Sequence, residues 1–111
     1  MAASTIVLVA MSTPDTRLTI DSYVIDSLMP DLVGHDRRAS AFIAYLYLWR
    51  KTNGGTRGAV VSHQHLSDGT GLSKRGAQLA IATLARRRLV QIDRTSSTAA
   101  ARVRLVREWR S

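Results

Sequence analysis

A run of nine apolar or aromatic residues, 41–49, constrains the fold of this chain more than any other feature. The run lies inside a helical pattern over residues 38–52, which Asn-Gly-Gly at 53–55 brings to an end. A helix that is apolar on every side must be buried against more than one neighbour. The sequence therefore predicts a central core helix. An alternative is that Tyr45 and Trp49 form a surplus face that packs against a second subunit.

The length and composition fit one folded domain in a reducing compartment. The chain has 111 residues, of which 45% are hydrophobic and 22% charged, as in ordinary globular domains. It has no cysteine, which excludes disulfides, thiolate zinc sites and a cysteine nucleophile. The longest apolar run is about half of the ~20 residues that span a membrane, and Ile6 to Met11 is too short for a signal-peptide core. We expect a cytoplasmic protein without a membrane partner.

The first part of the chain divides into a leader, residues 1–20, and the start of a domain over residues 21–111. Residues 4–11 are β-branched and apolar, which is typical of a short strand. From Asp21 onward the apolar spacing predicts a helix that stops at Pro30. Asp36 is the expected N-cap of the central helix.

The second part of the chain alternates short elements. Residues 59–61 have the composition of a strand, and Ser62 is placed to cap a short helix that Gly69 and Gly71 end. A third helix follows, with a buried stripe at Ala77, Ile81 and Leu84. Apolar and polar residues then alternate around Val90 and Val103, which predicts a hairpin with its loop at 95–101.

The positive charge is confined to the last part of the chain. Residues 1–71 contain six basic and six acidic side chains, whereas residues 72–111 contain ten basic and two acidic, which accounts for the net charge of +8. Arginine outnumbers lysine fourteen to two, and guanidinium groups bind phosphates and guanine edges in a bidentate way. This segment is either a solvated surface of uneven charge or a polyanion-binding surface, and the segregation favours nucleic acid.

The segment SHQHLSDGTGLSKRGAQLAIATLARRRLV, followed by a β-hairpin, resembles the winged helix-turn-helix family of bacterial and phage DNA-binding proteins. The resemblance covers about residues 37–107, and GLSKR is its most specific part. It implies an α+β fold of the winged-helix type: a three-helix helix-turn-helix core with an N-terminal helix and a C-terminal β-hairpin wing. It also implies that Gly71 makes the tight turn and that Leu72 plugs the core beneath it. Residues 73–88 would be the recognition helix.

The resemblance assigns roles at the start of that helix. Ser73 caps it and can donate to a phosphate. Lys74 is expected on a phosphate, Arg75 on guanine O6 and N7, and Gln78 on adenine N6 and N7. Two outward residues, Leu79 and Ala82, depart from the family pattern and weaken base readout.

The wing residues implied by the resemblance are Arg94, Arg102 and Arg104, which would clamp the backbone or enter a minor groove. Strand alternation places Arg102 and Arg104 on one face of their strand and Val103 on the other face. The alternative for Arg104 is a cross-strand pair with Asp93 and no other role.

Together these observations predict a protein that binds double-stranded DNA with sequence preference, as a transcriptional regulator at the nucleoid and as a homodimer through helix 38–52 or the N-terminal strand. The alternatives are the origin-binding module of a plasmid or phage replication initiator and a winged helix used for protein interaction. No enzyme motif, cofactor or metal is expected. His63 and His65 point apart on a helix, which argues against a metal site.

Overall fold

The computed structural model describes residues 17–93 and 101–109. In chain order these residues form two consecutive π-helical segments, Val24–Leu28 and Pro30–His35, followed by α1 (Ala39–Lys51), β1 (Ala59–Val61), α2 (His63–Thr70), α3 (Lys74–Arg86), β2 (Val90–Asp93) and β3 (Ala101–Leu105). The predicted α+β class is confirmed, and within this described part no helix is long and apolar enough to cross a bilayer. The strand predicted at residues 4–11 lies outside the described residues.

Helix α1 is the centre of the core, as its sequence predicts. It packs against the second π-helical segment, α2 and α3. Tyr45 is fully buried and Trp49 is 1% exposed, and the Trp49 indole Nε1 donates a hydrogen bond to the carbonyl of Thr19 at 2.8 Å. The alternative that these two aromatic residues form an outward face is therefore wrong. The large apolar side chain that α1 does expose is Ile43.

The prediction that the first helix stops at Pro30 is wrong. Helical backbone continues through it, because Met29 N–H bonds to the carbonyl of Val24 and Asp36 N–H to that of Asp31, both with π-helical spacing. Pro30 is the first residue of the second segment, a position where the fixed φ of proline fits helical backbone. Asp36 is also not the cap of α1, which begins after Arg38 without a side-chain cap bond.

The connection from α2 to α3 follows the predicted turn. Gly71 ends α2 with a left-handed φ of 84°, a conformation that glycine adopts without the steric penalty of a side chain. Ser67 Oγ donates to the Leu72 carbonyl at 2.6 Å, which fixes the backbone between the two helices. Gly69 does not end α2 but lies inside it, where the ring of Tyr47 packs so closely that a Cβ would collide with it.

The hairpin predicted from alternation is confirmed, and β1 adds a third strand on its other side. The antiparallel order is β1-β3-β2. The inward residues of the central strand β3 are buried, whereas Arg102 and Arg104 between them are exposed. On the same outer face, Val60 of β1 lies opposite Arg102, and Gln91 of β2 lies opposite Arg104.

Candidate nucleic-acid interface

The first two turns of α3 present four polar side chains to solvent. Ser73, Lys74, Arg75 and Gln78 are all exposed. The opposite side of the helix carries the predicted stripe of Ala77, Ile81 and Leu84, which is buried in the core. Because the apolar stripe fixes how the helix is rotated, the polar residues are held outward. The structure thus brings the four residues predicted for a recognition helix together on one exposed surface.

The backbone at this helix start is well prepared for an anion. Ser73 caps α3 by accepting a hydrogen bond from the Gly76 amide to its Oγ at 2.9 Å. The amides of Lys74 and Arg75 precede the first intrahelical hydrogen bond, so they point along the axis without a helical partner. Together with the positive end of the helix dipole and two cationic side chains, they favour a phosphate.

The same outward face becomes apolar and then basic further along α3. Leu79 and Ala82 are exposed, as their spacing predicts. Arg86 lies in the last turn and is also exposed. It follows Arg75 by eleven residues, which is about 16 Å along a helix. The cations at the two ends of α3 are therefore about three helical turns apart.

A second cationic surface lies on the outer face of the sheet, where Arg102 and Arg104 cross the start of β1. A Cβ at Gly58 would lie 3.0 Å from Arg102 Nε and 3.2 Å from Arg104 Cγ, so a larger residue here would require these side chains to shift by a few tenths of an ångström. The sequence analysis did not identify Gly58, although a glycine directly before a strand indicates close approach. Helix α3 contacts β2, and β2 pairs with β3, the strand that carries both arginines.

The alternative pairing for Arg104 has the wrong register. Arg104 Nη2 donates to Gln91 Oε1 at 2.7 Å, and Asp93 lies opposite Arg102. Arg104 therefore bonds a neutral amide, which leaves its charge uncompensated at that contact. Arg94, the third residue assigned to the wing, lies outside the described residues.

Two other arginines of the basic segment form contacts with other parts of the same chain. Arg87 forms ion pairs with Asp31 and, from Nε at 3.3 Å, with Asp36. Arg107 packs on the loop after α1, since a Cβ at Gly55 would lie only 2.7 Å from Arg107 Nε. Two of the cationic side chains in this segment thus form contacts with distant parts of the chain.

His63 and His65 begin α2 and lie next to its cap. The Ser62 amide donates to His65 Nδ1 at 3.2 Å, and the His65 amide donates to Ser62 Oγ at 3.0 Å. This is a capping box in which histidine takes the position usually held by glutamate or glutamine. The ring of His65 thereby has a structural role at the helix start.

The carboxylate of Asp36 has a perturbed acidity. His35 Nδ1 lies 3.0 Å from Asp36 Oδ1, and this hydrogen bond, assisted by the charge of Arg87, lowers the pKa of Asp36 despite an opposing contribution from burial. A depressed pKa means that the carboxylate stabilises the fold above its unfolded pKa, and that this contribution is lost as the pH falls through the folded value.

We expect His35→Ala to raise the pKa of Asp36 more than Arg87→Gln does, because the hydrogen bond is the larger cause. Both variants should lose less stability between neutral and acidic pH than the parent protein. The measurement is an NMR titration of the Asp36 carboxyl carbon, with urea unfolding at each pH. Arg88→Gln is the control, because it removes a charge next to Arg87 and leaves both contacts in place. An unchanged titration in His35→Ala would contradict the assignment.

Comparison of the chain with protein-family models, curated proteins and solved structures finds no match. The interpretation of this surface therefore rests on its own geometry and charge.

Proposed function

We propose that this protein binds double-stranded DNA with sequence preference, as a winged helix. In this proposal α3 enters the major groove with its first two turns, and the β2–β3 hairpin lies on the flanking backbone. The major groove is about 12 Å wide, which admits an α-helix. The observation that carries the proposal is the joint exposure of Lys74, Arg75 and Gln78 at the capped start of α3.

These side chains are suited to two kinds of contact: base contacts, which give specificity, and phosphate contacts, which give affinity. Arg75 can make two hydrogen bonds to guanine O6 and N7, and Gln78 can do the same with adenine N6 and N7. Lys74, Arg102 and Arg104 are suited to phosphates, which position a protein on the duplex without reading its sequence. Base readout is thus confined to a few side chains, and we expect a short recognition sequence.

The physiological setting that we propose is transcriptional regulation at the nucleoid. Origin binding in a replication initiator would use the same contacts. A protein-interaction role is favoured by one observation, the exposure of Leu79 and Ala82 on the outward face of α3. We propose no catalytic activity.

Selection from a pool of randomised duplexes should enrich a short sequence motif, and Arg75→Ala should weaken binding to the selected duplex by roughly 5- to 150-fold, equivalent to about 1–3 kcal/mol. Binding to random duplex should fall much less, because Arg75 makes at most one phosphate contact there, and the variant loses only that contact. Fluorescence anisotropy at fixed salt measures both affinities.

Arg86→Ala is the matched control for this experiment. It removes the same side chain from the same exposed face of α3, about 16 Å away along the axis. It should leave the preference for the selected duplex intact. An Arg75→Ala variant that weakens both duplexes equally would contradict base readout, and a pool without enrichment would favour protein interaction.

A further inference from the structure

The outward face of α3 carries a large apolar side chain beside the residues proposed for base contacts. Leu79 is 37% exposed. It follows Gln78 directly and lies four residues after Arg75, and both of these residues are exposed as well. Residues four apart lie on the same side of a helix, one turn after another. A partner that binds Arg75 and Gln78 therefore also meets Leu79.

The charge around Leu79 indicates which kind of partner covers it. Helix α3 contains no acidic residue, and its cations Lys74, Arg75 and Arg86 are all exposed. These cations lie before and after the apolar position, so a surface that covers Leu79 meets positive charge on both sides of it. A nucleic-acid duplex meets this condition, because its two rows of phosphates flank a groove lined by base edges.

The base edges in the major groove offer one apolar group to a leucine. This group is the C5-methyl of thymine, whereas the other groups presented there are hydrogen-bond donors and acceptors. A leucine packed on that methyl removes apolar surface of both groups from water. Uracil has no such methyl, and side chains cannot read the deep, narrow major groove of A-form RNA. An apolar side chain at this position therefore favours DNA over RNA.

We propose that Leu79 contacts the C5-methyl of a thymine in the major groove, close to the guanine that Arg75 binds. Leu79 and Arg75 are about 6 Å apart along the helix axis, and neighbouring base pairs are stacked about 3.4 Å apart. The thymine is therefore expected about one or two base pairs from the guanine. This inference rests on the proposed DNA binding, and it gives Leu79 a part in base recognition where the resemblance implies a weakening of it.

Replacing thymine by uracil in the selected duplex, one position at a time, tests this proposal because it removes only the methyl group. We expect one replacement to weaken binding of the full chain by about three- to fivefold, as for the loss of one buried methyl. Leu79→Ala should abolish the difference between the thymine and uracil duplexes. Ile43→Ala is the control, because Ile43 on α1 has a similar exposed fraction of 41%, and it should leave that difference intact. Fluorescence anisotropy at fixed salt measures all of these affinities.

The ratio of the two affinities separates a lost contact from misfolding, because a smaller folded fraction lowers binding to both duplexes alike. The methyl contact is overturned if no thymine can be found whose replacement weakens binding, or if Leu79→Ala keeps the full ratio. The proposed function survives either result when Arg75→Ala still loses its preference for the selected duplex. A pool of duplexes without enrichment overturns both, since no base is then recognised.

Discussion

Replacing Trp49 with alanine should lower the free energy of unfolding by about 3–5 kcal/mol, a large part of the roughly 5–15 kcal/mol available to a small domain. The indole is 1% exposed, packs beside Tyr45 at a centroid distance of 6.1 Å, and lies against Gly54, where a Cβ would be 3.5 Å from the ring. Its loss leaves a cavity in the centre of the core and removes the hydrogen-bond donor to Thr19.

The second tryptophan of the chain is a matched control. Trp109 is only partly buried and stacks on Tyr23 at 4.7 Å, with a hydrogen bond from Nε1 to Asp21 at 3.0 Å. Trp109→Ala should cost about 1–2 kcal/mol, since an aromatic pair and partial burial are lost. Urea unfolding followed by circular dichroism measures both variants. A smaller cost for Trp49 than for Trp109 would contradict the position of α1 at the core.

Features determined by neighbouring residues could be predicted from the sequence. Ser73 caps α3, Gly71 adopts the left-handed conformation, and Ala59–Val61 is a strand, as expected. Caps and turns depend on the side chain at one position and on amides two or three residues away. The exposed start of α3 followed from the apolar stripe on its other side for the same reason.

Features determined by distant residues could not be predicted. The sequence shows that α1 is apolar all round, but not that Thr19, thirty residues earlier, covers Trp49. Asp36 has the composition of a cap, yet its carboxylate faces Arg87, which is fifty-one residues later. These contacts follow from tertiary packing, which overrides local preference when an ion pair or a buried face is at stake.

The hairpin shows why the sequence predicts the face of a strand on which a residue lies but not the residue that lies opposite it on the next strand. Asp93 was the expected alternative partner of Arg104, and it lies opposite Arg102 instead. A shift of two residues along a strand leaves every side chain on its original face, because the side-chain period is two. Alternation therefore fixed the outward direction of both arginines, whereas their cross-strand neighbours depend on the register.

Affinity for random duplex DNA should fall steeply with salt. Neutralising about five phosphates gives a slope of roughly −4 to −5 for log K against log salt concentration, so affinity drops by about 250- to 1,000-fold between 50 and 200 mM. The double variant Arg102→Gln, Arg104→Gln should reduce the magnitude of this slope by about 2, because two exposed cations no longer displace counterions. Anisotropy titrations at a series of salt concentrations measure this slope.

Arg87→Gln is the control that distinguishes local contact from overall charge. It removes the same kind of cation from the same basic segment, but its guanidinium is bound to Asp31 and Asp36 and should not release counterions from DNA. We therefore expect its slope to match that of the parent protein. If Arg87→Gln changed the slope as much as loss of one of the two sheet arginines, binding would follow net charge and the outer face of the sheet would have no specific role. A flat salt response in the parent protein would contradict duplex binding through either surface, because phosphate contacts necessarily release counterions.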